Sequence, residues 1–230
     1  GTSHYGSTQK EEEQGLLIRL GYCPNLYANG TSVASDALLG IRYLFTRPGE
    51  GAPNAAVLQR EDITAPWTVW QNPYALPLVQ LCSDRWLDQA LLEDPFGFEN
   101  ARFSALTGEE TLVQQPVAIR EGTDGLTFTC PRDGIYSFVA CDGQTGELQI
   151  NGSARGDYFG LFPPSGSVQE LGRYAAGEQV TVSVGGSCPP SAQVFWLDAA
   201  ALGRISDEKA AQPVSFEIGN GGIQAKARAE

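Results

Sequence analysis

Residues that could perform acid–base or nucleophilic chemistry are scarce in this sequence. Its one histidine is His4, so the commonest general base and metal ligand is missing from the rest of the chain. There is no GxSxG elbow, no HExxH pair and no phosphate-binding loop. Serine–histidine and cysteine–histidine mechanisms therefore lack their general base. We expect no catalytic residue, no metal site and no cofactor in this chain.

Paired carboxylates are the remaining route to hydrolysis. Asp84, Asp88, Glu93 and Asp94 lie close together in the sequence, and two carboxylates at the right separation cleave glycosidic bonds in many enzymes. These residues fall on a predicted helix and its exit, where ordinary solvation of a helix surface explains acidic side chains equally well. We therefore interpret them as surface residues.

The five cysteines do not form a metal or disulfide motif. Their number is odd, their spacings are wide and no CxxC occurs. In a hairpin turning at Pro131 to Gly134, the residue opposite Cys130 is Ile135, and Cys141 lies further along the strand. We expect free or buried thiols. The five positions are Cys23, Cys82, Cys130, Cys141 and Cys188.

One aromatic segment is a candidate binding surface. Tyr158, Phe159 and Phe162 stand beside the Pro163-Pro164 turn, and exposed rings at a loop tip can stack on sugars or dock to a neighbouring surface. The alternative places Phe159 and Phe162 in the core of a sandwich strand, and it is the favoured interpretation. The tryptophans are expected to be core anchors: Trp67, Trp70, Trp86 and Trp196.

Charge and composition restrict the partners. The net charge is −12, with 27 acidic against 15 basic residues, so the chain as a whole repels nucleic acid and anionic lipid headgroups. No apolar run reaches the roughly 18 residues that a membrane span needs. The chain lacks methionine and begins Gly1-Thr2-Ser3. We therefore expect Gly1 to be left by tag cleavage and the chain to be a piece of a longer protein.

Residues 1–108 are predicted to form a mixed α/β subdomain. Helical patterns alternate with short strands, and glycines close several of the helices. Ser35 and Asp36 are placed to cap the second helix. The predicted helices are Ser7 to Leu20, a short helix containing Ala37 to Leu39, Asp84 to Leu92 and Asp94 to Leu106. The predicted strands are Ile41 to Phe45, Ala56 to Gln59 and Trp67 to Gln71.

Residues 109–230 are predicted to form an antiparallel β-sandwich of jelly-roll type, so the fold class is α+β. Short strands recur about every ten residues between turn signals such as Asp142-Gly143 and Asn151-Gly152. A terminal helix, Ala199 to Gln212, and two late strands follow. The predicted sandwich strands are Thr111 to Ile119, Gly125 to Cys130, Ile135 to Cys141, Gly146 to Ile150, Asp157 to Phe162, Ser167 to Tyr174, Gln179 to Val184 and Gln193 to Leu197.

Three motifs resemble one known family. Leu16 to Phe45 contains Ser35-Asp36, Leu38-Leu39-Gly40 and Tyr43, and is similar to the extracytoplasmic region of YfhO-type bacterial membrane proteins. The second match is Asn72 to Leu78, with a Tyr-Ala-Leu-Pro-Leu run. The third covers Asp94 to Gly108, with Asp-Pro-Phe, Glu-Asn and Ala-Leu-Thr-Gly. The matches occur in the family's order over about ninety residues.

The resemblance implies a multi-span parent with a GT-C-like membrane core that moves sugars from polyprenyl-phosphate carriers to envelope polymers such as lipoteichoic acid. The family's catalytic carboxylate lies near its first spans, and no residue here matches it. The expected function is thus an accessory domain on the extracytoplasmic side of the cell membrane. Its expected partners are the transmembrane part of the same polypeptide and a cell-envelope glycan or lipid-linked sugar. The alternative is a stand-alone carbohydrate-binding or structural β-sandwich module.

Overall fold

A computed structural model describes residues 11–22, 32–47, 59–61, 67–87, 94–140, 144–159, 167–212, 214–219 and 222–227. Within these ranges, helices and antiparallel sheets combine in an α+β fold. No helix of the described part has the length and apolar content needed to span a bilayer.

Three helices precede the sandwich: α1 (Glu11–Arg19), α2 (Val33–Leu38) and α3 (Pro95–Thr107). The Asp94 side chain caps α3 by accepting a hydrogen bond from Gly97 N at 2.7 Å, and Pro95 supplies the preset φ of a first helical residue. Gly108 ends the helix in the left-handed conformation, at φ 78°. A 3-10 turn covers Asp84–Leu87.

A small sheet lies between α2 and α3 in the sequence. Its strands are β1 (Tyr43–Thr46), β2 (Gln59–Glu61) and β3 (Thr68–Gln71), with β3 in the centre. The chain after β3 returns to α2, where Leu76 N donates to the Ala37 carbonyl at 3.1 Å.

Two larger sheets form the sandwich. In the four-stranded sheet the order is β10-β7-β12-β4, and in the five-stranded sheet it is β5-β6-β11-β8-β9. All of the recorded pairings are antiparallel. The strands are β4 (Gln114–Val117), β5 (Ile119–Gly122), β6 (Gly125–Thr129), β7 (Gly134–Ala140), β8 (Thr145–Ile150), β9 (Ser153–Phe159), β10 (Gln169–Tyr174), β11 (Gln179–Val184) and β12 (Ala192–Leu197).

Alternation along the strands decides which side chains fill the sandwich. Successive side chains of a strand point to opposite faces, so Tyr136 and Phe138 of β7 enter the core between the sheets while Val139 faces away. The main contributors from the facing sheet belong to β6, β8 and β11. They are Leu126, Phe128, Leu148, Ile150, Val180, Val182 and Val184.

The helices form a third layer on the outer face of the four-stranded sheet. Phe96 of α3 packs on Phe195 of β12 with ring centroids 4.2 Å apart. Helix α4 (Ala199–Ala210) joins this layer through Leu202 and Ile205, in the same cluster as Phe103. After α4, β13 (Val214–Gly219) and β14 (Gly222–Ala227) pair with each other.

Several sequence expectations need correction. The cap of α2 is Ser32, while Ser35 and Asp36 lie inside the helix and are buried. The predicted strand Thr111 to Ile119 is two strands, β4 and β5, in different sheets. Trp67 is 49% exposed and therefore not a core anchor. The subdomain boundary at 108 stays a prediction, because residues on both sides of it share one apolar cluster.

Gly21 gives a test of how α1 is joined to the sandwich. It ends α1 at φ +81°, and an added Cβ would lie 2.3 Å from Val168 Cγ2. We expect Gly21→Ala to lower the free energy of unfolding by about 3 kcal/mol, from backbone strain plus overpacking. Gly177→Ala is the control, because Gly177 has φ +85° with open space around it. If urea titrations gave the two variants equal losses in the free energy of unfolding, the contact between Gly21 and Val168 would not be a tight one.

Candidate functional site

The most polar buried region is centred on Glu99 of α3. Its side chain is 0% exposed, although it carries an ionisable carboxyl. Oε1 accepts hydrogen bonds from Ser32 Oγ, at 2.6 Å, and from Ser35 Oγ. Oε2 accepts a hydrogen bond from Gln114 Nε2 at 2.8 Å. One carboxyl thus joins α2, α3 and β4.

The position of Glu99 follows from local structure. Ser32 is the N-cap of α2 and Ser35 lies one turn on, so both hydroxyls point from the same end of that helix. Gln114 opens β4, which is held against α3 by Asn100. The Asn100 side chain donates to the Gln114 carbonyl at 2.8 Å and accepts from Val113 N at 2.9 Å.

Tyr22 and Asp36 lie near Glu99, and Glu170 lies near Asp36. Asp36 of α2 is 2% exposed and accepts a hydrogen bond from the Tyr22 hydroxyl at 2.7 Å. Glu170 of β10 is partly buried, and its Oε2 is a buried atom that makes no hydrogen bond within the described structure. We call Tyr22, Asp36, Glu99 and Glu170 the acidic cluster.

Burial dominates the electrostatics of this cluster. It raises the pKa of Glu99 to about 7, with a further increase from Asp36, while the hydrogen bonds from Ser32, Ser35 and Gln114 oppose the shift. Burial and then Asp36 raise the pKa of Glu170 to about 7. The pKa of Tyr22 is raised well above its usual value by burial and by Asp36.

A perturbed carboxyl of this kind can signal a catalytic acid or base. Such a group must reach the proton of a bound substrate within hydrogen-bond distance, and the Glu99 side chain has no exposed surface. Within the described residues, no group of three acidic, cysteine or histidine side chains is arranged to hold a metal ion. The cluster is therefore a structural junction in this conformation.

An open groove lies where the start of α3 meets the end of β4 and the start of β12. Its volume is about 440 Å³, within the range of sites for small ligands. Leu112, Pro116 and Phe195 supply apolar walls, and Asp94 and Gln193 supply polar atoms. We call this feature the α3 groove.

The α3 groove offers hydrogen-bond acceptors. Gln193 Oε1 is buried and has no hydrogen-bond partner within the described structure. Asp94 uses Oδ1 to cap α3, and Oδ2 makes no hydrogen bond to the described residues. Unsatisfied acceptors favour a ligand that brings donors, such as the hydroxyl groups of a sugar.

The predicted aromatic site is placed as follows. Tyr158 is 1% exposed and lies inside the sandwich, where its hydroxyl accepts from Ala140 N at 2.8 Å and donates to Ala140 O at 3.0 Å. Its ring packs edge-on against Phe138. Phe159 ends β9, and its side chain, like the whole of Phe162, lies outside the described residues. A binding role for this segment stays a prediction.

The other candidates from the sequence are dispersed. Asp84 is exposed, Asp94 caps α3, and Asp88 and Glu93 lie outside the described residues. Cys82, Cys130 and Cys188 are free thiols, of which Cys82 is exposed, while Cys23 and Cys141 lie outside the described residues. Of the four carboxylates, the described two are thus an exposed residue of the 3-10 turn and a helix cap.

Sequence reasoning missed Glu99 and Gln193. Glu99 stands between the buried Phe98 and Asn100 in the third motif, and a carboxylate inside an apolar helical stretch was the available sign. Gln193 shares a strand face with the buried Phe195 and Leu197, and a polar residue on that apolar face was the available sign. Comparisons of this chain with protein-family models, curated proteins and solved structures each found no match.

Proposed function

We propose that this chain is the extracytoplasmic domain of a multi-span bacterial membrane protein similar to the YfhO type. In this role it binds and positions the acceptor glycan for a polyprenyl-phosphate-sugar-dependent envelope glycosyltransferase, and the chemistry belongs to the membrane part of the same polypeptide. The single observation that carries the binding role is the α3 groove, an open cavity whose lining includes the polar residues Asp94 and Gln193.

The packing of the three motifs supports the proposed relationship. Leu76 of the second motif contacts α2 of the first, with its N–H on the Ala37 carbonyl. Glu99 of the third motif accepts from Ser35 of the first. Residues that resemble one family in the sequence are therefore neighbours in space, as expected if they were retained to build one structural unit.

The sandwich is proposed to be a jelly roll. Support comes from the way the strands alternate between the sheets: β4, β7, β10 and β12 build one, and β6, β8, β9 and β11 build the other. Two interleaved Greek keys give this order, with β5 as an added edge strand. Lectin domains use jelly rolls, although a fold alone does not define a ligand.

Charge indicates which part of an envelope polymer the groove would contact. With a net charge of −12, the chain disfavours a polyphosphate backbone. Gln193 Oε1 and Asp94 Oδ2 are acceptors that match hydroxyl donors. We therefore propose that the neutral sugar units of the acceptor enter the α3 groove.

The test uses the intact parent protein in its membrane. We expect Gln193→Leu to lower glycan transfer to the acceptor at least tenfold while the protein still inserts and folds. Gln179→Leu is the matched control, because Gln179 is an exposed strand residue outside the groove. Unchanged transfer in the Gln193 variant, or full transfer after clean deletion of the domain, would contradict the proposal.

The second candidate is a stand-alone glycan-binding module, and the same groove favours it. It predicts that the isolated chain binds an immobilised glycan tightly and that Gln193→Leu abolishes this binding. Flanking apolar spans in the parent polypeptide would exclude the stand-alone form.

A further inference from the structure

The charge that a ligand meets in the α3 groove comes from one side chain. Among the described residues that line the groove, Asp94 is charged and all of the others are neutral. The neutral Asn100 offers little to a ligand, because its Oδ1 already accepts from the backbone N–H groups of Val113 and Gln114. The electrostatic preference of the groove therefore depends on the Asp94 carboxylate.

The free oxygen of this carboxylate lies beside Gly97. Oδ1 of Asp94 accepts the hydrogen bond from Gly97 N, whereas Oδ2 would lie 2.8 Å from a Cβ added to Gly97. Gly97 is itself part of the groove lining. Because glycine has no side chain, residue 97 leaves Oδ2 uncovered on this side, and the oxygen can accept a hydrogen bond from a ligand.

The same carboxylate fills the anion-binding position at the start of α3. The first N–H groups of a helix have no partner within the helix, and the helix dipole makes this end positive, so helix N-termini attract anions. In α3, Pro95 has no N–H to offer. Gly97 N donates to Asp94 Oδ1, and Phe98 N donates to the Asp94 carbonyl at 3.1 Å. Asp94 thus uses the donors that an anionic ligand would need.

These contacts separate ligands by charge. A sugar hydroxyl can donate to Asp94 Oδ2, and a hydrogen bond to a carboxylate is stronger than one between neutral groups. A carboxylate or phosphate on the sugar would instead meet a like charge, with no basic residue among the described lining residues to offset it. The groove should accept uncharged sugars and reject acidic ones.

We propose that Asp94 determines this selection: its Oδ2 binds a hydroxyl of an uncharged sugar, and its charge excludes sugars that carry a carboxylate or phosphate. The inference rests on the glycan-binding role of the α3 groove and adds the class of sugar that the groove rejects. It assigns the selection to a single contact. The net charge of −12 is spread over the whole chain, and salt screens exposed charges beyond about 8 Å.

The test is isothermal titration calorimetry of the full 230-residue chain with matched oligosaccharides at about 0.15 M salt. Cellotetraose and maltotetraose are the neutral probes. Their C6-oxidised forms, in which glucuronate replaces glucose, are the acidic probes. We expect the parent chain to bind a neutral probe about tenfold more tightly than its acidic form. In Asp94→Asn the two should bind within about threefold of each other, because an amide donor replaces the anionic acceptor.

Asp94→Asn should fold as the parent chain does, because asparagine caps helices as well as aspartate. Asp94→Ser is a second uncharged capping variant and should lose the selection in the same way. Asp207→Asn is the matched control, because Asp207 is exposed on α4, does not line the groove and changes the net charge by the same amount. It should keep the preference of the parent chain.

The outcomes distinguish this inference from the glycan-binding role on which it rests. If Asp94→Asn kept the tenfold preference, or if Asp207→Asn lost it, the selection would come from the charge of the whole chain and the inference would be overturned. The glycan-binding role would then still stand if Gln193→Leu abolished binding of the neutral probe. If the parent chain bound neither neutral probe, or if Gln193→Leu bound as the parent does, both would be overturned.

Discussion

Replacing Glu99 with glutamine is expected to make the chain's stability less dependent on pH. The pKa of Glu99 rises from 4.5 to about 7 on folding. Between these values the folded chain holds more protons than the unfolded chain, so the free energy of unfolding falls as pH rises. The contribution of the neutral carboxyl is complete below pH 4.5 and is lost as pH passes through 7.

The expected size is about 2 kcal/mol between roughly pH 5 and pH 8. Glutamine keeps the shape and neutrality of the protonated acid, and Gln114 can rotate its amide to present Oε1, which is buried and unpartnered within the described structure. Near pH 5 the variant should therefore be within about 1 kcal/mol of the parent chain. Near pH 8 it should be the more stable of the two.

The measurement is a series of urea titrations across this pH range for both chains. Glu109→Gln is the control, because Glu109 is an exposed acid just beyond α3, and its curve should run parallel to that of the parent. If the curve of the Glu99 variant were also parallel to that of the parent, the Glu99 carboxyl would ionise in the folded parent chain at little cost in free energy. Glu99→Ala should lower stability by about 3 kcal/mol near pH 5, since it leaves Ser32, Ser35 and Gln114 without their acceptor. The loss should be about 2 kcal/mol smaller near pH 8, because the parent chain has by then lost the contribution of the neutral carboxyl.

Phe96→Ala is expected to be the most damaging single change in the helical layer. Phe96 is 0% exposed and lies in a small cluster with Val139, Val168 and Phe195, each from the sandwich side. Deleting a buried ring of this size costs about 4 kcal/mol through lost burial and the cavity left behind. Because the ring joins α3 to the four-stranded sheet, we expect the loss to reach the whole described unit.

Hydrogen exchange measures which strands and helices lose stability in the Phe96→Ala variant. Amides of β11, in the sheet remote from α3, should lose protection by the same free energy as amides of α3. Phe45→Ala is the control, and at 64% exposure it should change stability by less than about 0.5 kcal/mol. If β11 kept its protection in the Phe96 variant, the segments before and after residue 108 would be independent folding units.

The strand and helix pattern was largely predictable from local chemistry. Asp94 and Gly108 mark the ends of α3 in the sequence, and the structure confirms both. The Asn151-Gly152 turn joins β8 to β9, with both residues at positive φ. These features depend on neighbours within a few residues, so the sequence carries them directly.

The sequence predictions were wrong where contacts between residues far apart in the sequence determine the structure. Ser35 is as good a cap as Ser32 by residue type, and only the position of Glu99 on α3 shows that both hydroxyls serve the same carboxyl. Trp67 has the volume of a core anchor, but it lies immediately before β3 and is 49% exposed. Residue type does not distinguish these cases.

The sequence by itself determined the α+β class, most element positions and the scarcity of histidine and metal-binding motifs. Those properties follow from composition and from periodicities that each segment carries alone. Only the tertiary structure decided that Glu99 is buried against two serines, that Gln193 lines a groove and that Phe45 and Trp67 are exposed. Burial is a property of what covers a side chain, and the covering residues here come from parts of the chain up to 67 positions away.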